Sequence, residues 1–146
     1  MKKRWFYKFI VYVQLIVMML YLVWMGIVYF RGTIYGSLNG IEVSESYYSA
    51  FPMIEILDKC RGVILVLLGV AAYFIRVGLL KKEGNAPRNY LIYLLSIAME
   101  SAIYSVLVSL ITRTNLFRSA IYSLCLTFIY FFICLSYFKM TADEFR

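Results

Sequence analysis

Between Tyr90 and Ile111 the chain runs for 22 residues with one charged side chain, Glu100, close to the middle. At about 1.5 Å per residue a helix over this stretch is about 33 Å long, enough to cross a hydrocarbon core of about 30 Å. Three more runs of similar character follow the same rule: Phe9 to Phe30, Gly62 to Leu80 and Leu116 to Phe138. A bilayer leaves backbone groups no partner but one another, so runs of this kind fold as helices. The expected fold class is all-α: a polytopic membrane protein, an antiparallel bundle of four transmembrane helices, forming one domain over residues 1–146. Hydrophobic residues make up 63% of the chain, too many for an ordinary soluble domain.

The connections are short. Lys81 to Asn89 (KKEGNAPRN) is broken by Gly84, Asn85 and Pro87, and Thr112 to Asn115 is a tight turn. Short links make sequential spans antiparallel neighbours. Arg31 to Ala50 is longer, punctuated by Gly32, Gly36 and Gly40, and is expected to be irregular and exposed. Pro52 suits a first helical turn, so the second helix should begin near it, ahead of its embedded part. There Glu55, Asp58, Lys59 and Arg61 read as a solvated helix mouth. Arg76, about four residues from the end of that span, reads as snorkelling to the interface.

Charge sets the orientation. Lys2, Lys3, Arg4, Lys8, Arg76, Lys81, Lys82, Arg88, Lys139 and Arg146 collect on one side of the spans; Arg31, Lys59, Arg61, Arg113 and Arg118 collect on the other. The side richer in bases is expected to be cytoplasmic, with both termini inside and the 31–51 loop outside. Met1 to Lys8 reads as an uncleaved basic anchor, because the apolar run after it is too long for a signal peptide. The net charge of +7 is spent on topology in this reading, leaving no basic surface for nucleic acid.

The residue types exclude much chemistry. There is no histidine, which removes histidine-based triads and histidine metal ligands. Cys60, Cys125 and Cys134 form no CxxC and lie at different depths; Cys125 and Cys134, inside the last span, read as small apolar fillers. No catalytic residues, metal or cofactor are expected, and the protein is read as a non-enzyme.

Glu100 is the residue most in need of explanation, since a charge at the bilayer centre costs about 3 kcal/mol on insertion scales. Span three has two faces. One carries Glu100 with Tyr93, Ser96, Ile97, Ile103, Tyr104 and Leu107; the other is a small-residue stripe of Ala98, Ser101, Ala102, Ser105 and Ser109, suited to close helix packing. Span four has a weaker stripe, Ser119, Ser123 and Thr127. Tyr104 is one turn from Glu100, and Tyr21, Thr127 and Tyr130 fall at similar depth on spans one and four. These define a candidate intramembrane polar site: Glu100, Tyr104, Tyr21, Thr127 and Tyr130. Gln14 either bonds another helix or reaches the headgroups. The expected state is a protonated Glu100 hydrogen-bonded to tyrosine or threonine. The alternative, an acid that takes a proton or cation during transport, stays open.

Trp5-Phe6-Tyr7-Lys8-Phe9, Gly32-Thr33-Ile34-Tyr35-Gly36-Ser37, and Phe51-Pro52 with Asp58 are followed by Arg76, Lys81-Lys82, Pro87, Tyr93, Tyr104 and Tyr137-Phe138-Lys139. This set resembles a class of four-helix membrane proteins of gut Firmicutes, in some of which the helices follow an N-terminal zinc ribbon. The ribbon's cysteines are missing here, so the resemblance implies a standalone version. It implies four membrane helices and brings no activity. The expected function is that of an accessory or interaction subunit of the bacterial plasma membrane. Its partners would be the lipid bilayer and another membrane protein or a second copy. The alternative is a small transporter or channel.

Overall fold

The computed structural model describes residues 3–38 and 41–145. Lys2, Gly40 and Arg146, counted above in the basic flanks and the loop, lie outside the described residues. Four helical stretches are long and apolar enough to cross a membrane: Trp5–Arg31, Pro52–Leu80, Ala86–Thr112 and Phe117–Met140. The first is composite. It joins α1 (Lys3–Lys8), a π-helical stretch (Phe9–Gln14) and α2 (Leu15–Arg31). The others are α4 (Pro52–Leu80), α5 (Ala86–Thr112) and α6 (Phe117–Met140).

Proline opens α4 and lies in the first turn of α5, where its missing N–H has no intrahelical partner to lose. Gly32 closes α2 in the left-handed region at φ 71°, returning its N–H to the Tyr29 carbonyl. Lys82 and Arg113 take the same region at φ 55° and 56°, without glycine's freedom, where the chain leaves α4 and α5.

The described part of the loop between α2 and α4 carries regular structure, which corrects the reading of it as irregular; Thr33, Gly36, Glu45, Ser46 and Ser49 are exposed, as expected. A 3₁₀ turn (Thr33–Tyr35) leads to an antiparallel pair of two-residue strands, β1 (Ser37–Leu38) and β2 (Ile41–Glu42), and then to α3 (Val43–Ala50). Ser44 is buried, and Tyr35 packs on Tyr47 and Tyr48. Aromatic contacts and a buried anchor, described below, fold this segment onto the bundle as a cap.

Glycine sets the tightest helix contact. A Cβ on Gly62 would stand 2.7 Å from the Gly26 carbonyl oxygen and 2.8 Å from the Phe30 amide nitrogen; one on Gly26 would stand 2.7 Å from the Gly62 carbonyl oxygen. A Cβ on Gly69 would meet a Val23 methyl at 2.7 Å. So α2 and α4 touch backbone to backbone, the close approach that drives helix association where lipid is as apolar as the side chains. The Tyr7 hydroxyl donates to the Leu79 carbonyl at the other end of this pair, so contacts climb one helix and descend the other. The buried core continues through Ile10, Leu15, Leu65, Ala72, Tyr90, Leu94, Cys134 and Phe138. Outward faces stay apolar: Trp24, Leu67, Phe74, Leu110, Leu126 and Ile129 are all exposed.

Candidate functional site: a buried charge cluster beneath the cap

Along α4 as far as Ala72 the buried positions are Ile54, Asp58, Gly62, Leu65, Gly69 and Ala72, the three- and four-residue spacing of one helix face. Asp58 therefore points inward, and it is 0% exposed. This corrects the solvated helix mouth for Asp58. Its neighbours Glu55 and Lys59 do form an exposed pair, at 2.6 Å.

A buried carboxylate needs donors. Asp58 has three, all phenols. Tyr35 and Tyr48, from the cap, donate to Oδ2 at 2.8 and 3.0 Å, and Tyr104, from α5, donates to Oδ1 at 2.7 Å. One acid thus ties the cap, α4 and α5 together.

One turn on, Arg61 turns the same way. Its Nε lies 2.9 Å from Glu100 Oε1, with the two side chains 15% and 10% exposed. The N–H is turned off the line to the oxygen, so charge rather than a hydrogen bond carries the contact. The guanidinium Cζ sits 3.7 Å from the Tyr104 ring centre and 4.6 Å from that of Tyr29, and Nη1 donates to the Tyr29 hydroxyl at 3.0 Å. Stacking of a guanidinium on phenol faces is attractive and suits arginine's flat, weakly hydrated head. The cluster is one connected unit: Asp58, Arg61, Glu100 and the tyrosines 29, 35, 48 and 104.

The expected tyrosine or threonine partner for Glu100 is therefore replaced by Arg61. Arginine's length is the reason. Its side chain is turned in toward α5, where it lies against both the Tyr104 ring and Glu100. Of the sequence candidates, the structure brings Tyr104 into the cluster, through Asp58 and Arg61. Tyr21 is exposed, Thr127 bonds back to the Ser123 carbonyl of its own helix, and Tyr130 belongs elsewhere. Tyr93, two turns before Glu100, is buried and its hydroxyl has no partner among the described residues, so the cluster does not continue that way. In the small-residue stripe, Ala98 and Ser109 are buried, while Ser101, Ala102 and Ser105 are half-buried. Ser105 bonds back to the Ser101 carbonyl, and the Ser109 hydroxyl accepts the Leu116 amide at 3.2 Å, fixing the α5–α6 turn.

A second polar group lies toward the opposite end of the bundle. Gln14 Oε1 accepts the hydroxyls of Tyr90, at 2.8 Å, and of Tyr130. Arg76 does not merely snorkel: its Nε donates to the Val11 carbonyl at 3.0 Å, within the π-helical stretch. The wider turn of a π-helix leaves carbonyls available for such outside donors. Cys134 is buried beside Tyr90, whereas Cys125 is exposed on the outer face of α6, which corrects its reading as a buried filler.

Beside Arg61 and Glu100 a groove of about 330 Å³ runs between α4 and α5, walled by Leu57, Ile64, Met99 and Ile103. Among the described residues no three histidine, cysteine, aspartate or glutamate side chains gather as a metal site.

The cap tyrosines are the titratable probes of this site. Burial, then the hydrogen bond to Asp58, pushes the Tyr35 and Tyr48 phenols well above the ordinary 10.0, and burial followed by the Asp58 charge raises Tyr47. A phenol raised on folding stabilises the fold fully below its unfolded value and loses that contribution as pH climbs through the raised one. The cap should therefore hold at mildly alkaline pH and loosen above about pH 10. Absorbance titration should show a delayed set of phenols that Asp58→Asn advances; a single ordinary transition in the wild type would contradict this.

No protein-family model, curated protein or solved structure matches the chain. The fold and the cluster therefore define a class only: a small helical protein with four candidate membrane spans.

Proposed function

We propose that this chain is a non-enzymatic accessory or interaction subunit of the bacterial plasma membrane. It forms an antiparallel four-span bundle with both termini in the cytoplasm and presents its capped end outside. The observation that carries this reading is the anchoring of the cap. A buried acid and three phenols are committed to holding the Thr33–Tyr35 turn and α3 against the bundle. A loop fixed at such expense in polar burial is a surface for contact rather than a mere connection. The two-to-one bias of bases toward the other end supports the orientation.

Unbiased crosslinking in membranes tests it. The wild type should capture a membrane protein or a second copy through the cap, and Asp58→Asn should lose that product. Recovery of lipid alone would overturn the reading.

A second reading, transport with Glu100 lining the path, is favoured by the groove beside Arg61 and Glu100. Proteoliposome flux of a proton or monovalent cation that is unchanged by Glu100→Gln would remove it.

A further inference from the structure

At the end of the bundle away from the cap, the chain turns from α4 into α5 around a notch of about 350 Å³, within the usual size range of ligand sites. Phe74 and Val77 wall one side; Lys81, Glu83 and Asn89 supply the polar side. Lys82 takes its left-handed conformation here and folds the chain back, so that the Glu83 amide bonds the Gly78 carbonyl at 3.1 Å. Glu83 Oε2 then lies 3.2 Å from where a Cβ on residue 78 would stand. Glycine at that position leaves the acid room to rest against the helix end without shifting. Neither Lys81 nor Glu83 is in an ion pair among the described residues.

We infer that this notch binds the headgroup of an aminophospholipid, one phosphate and one primary ammonium on a glycerolipid. This rests on the bilayer reading given above. The charges are complementary in both signs. Lys81 and the Asn89 amide face a phosphate, and Glu83 faces an ammonium. The helix ends agree. The notch lies between the C-terminus of α4, which favours a cation, and the N-terminus of α5, which favours an anion. The apolar wall formed by Phe74 and Val77 continues into the membrane face of α4 and takes the start of an acyl chain. A purely anionic lipid would leave Glu83 opposed to its phosphate. A choline lipid carries no N–H to donate to Glu83.

The test is native mass spectrometry of the full chain released from nanodiscs of equimolar phosphatidylethanolamine, phosphatidylcholine and phosphatidylglycerol. Phosphatidylethanolamine should be retained over both others. Glu83→Gln should reduce its preference over phosphatidylglycerol about two- to fivefold, the scale of one partly exposed ion pair. Lys81→Gln should lower retention of both phosphate lipids. Both variants should melt with the wild type, since neither side chain holds another residue. Equal retention of the three lipids, or an unchanged preference in Glu83→Gln, overturns the inference. Displacement by excess free phosphoethanolamine would also overturn it, by assigning the notch to a soluble phosphate ester. A chain that does not enter nanodiscs overturns the bilayer reading itself, and the site with it.

Discussion

Asp58→Ala should lower stability by about 3–5 kcal/mol, because three hydrogen bonds to a charged acceptor go at once and three half-buried phenols are left without that partner. The loss should be local before it is global. Tyr35 and Tyr48 hold the cap to the bundle chiefly through this carboxylate, so Thr33–Ala50 should become open to protease while the helices persist in detergent. Asp58→Asn keeps the shape and one acceptor oxygen, and should fall between wild type and alanine. Thermal unfolding by circular dichroism, together with limited proteolysis mapped by mass spectrometry, reads both effects. A cap that stays protected in the alanine variant would mean that ring packing among Tyr35, Tyr47 and Tyr48 suffices to hold it.

Gly62→Val should be at least as damaging, for a different reason. Its new Cβ would meet the Gly26 carbonyl oxygen and the Phe30 amide, which are backbone atoms of a helix and cannot swing aside. Overpacking of ordinary cores costs about 1–3 kcal/mol; here the whole α2–α4 contact must part, and the loss should exceed that range. Gly69→Ala is the control. Its Cβ would meet a Val23 methyl at 2.7 Å, but the nearest backbone atoms, the Met19 carbonyl oxygen and the Val23 amide nitrogen, stand back at 3.2 and 3.3 Å, so the smaller side chain should cost less. The two effects are linked, because moving α2 away from α4 also lifts Tyr29 off Arg61. Detergent melting curves and gel filtration distinguish the outcomes. A Gly62→Val variant that melts with the wild type would place the α2–α4 contact elsewhere.

The four helices were legible because membrane spans follow from unbroken apolar runs and from the proline and glycine between them, signals that need no partner to read. The small-residue stripe of α5 was visible in the same way, as a pattern on one helix. The cluster was not. Asp58 stands among Glu55, Lys59 and Arg61, and composition alone makes that a wet helix end. The signal that distinguishes it is register: Ile54, Asp58, Gly62, Leu65, Gly69 and Ala72 fall on one face, so the acid shares the face of the close-packing glycines. Depth misled for Glu100. Counting rise from the helix ends puts Tyr21, Thr127 and Tyr130 level with it, but partners are set by side-chain reach as well as by backbone height. Arg61, read as part of a wet helix mouth, reaches the acid across the α4–α5 contact. The cap escaped sequence reasoning because what orders it, phenols converging on one buried carboxylate, is a contact across long chain separations and leaves no local period.

Both charges of the Arg61–Glu100 contact lie away from solvent, and together with Asp58 they make the cluster on which the account of the capped end depends. A double-mutant cycle tests it most directly: Arg61→Met, Glu100→Met and the double variant, with thermal unfolding as the readout. Removing one member of a buried ion pair strands the other charge, whereas removing both strands neither. Each single variant is predicted to lose about 3 kcal/mol, and the double variant to recover much of that loss. Losses that simply add would mean the two charges do not interact, and would contradict the cluster as described.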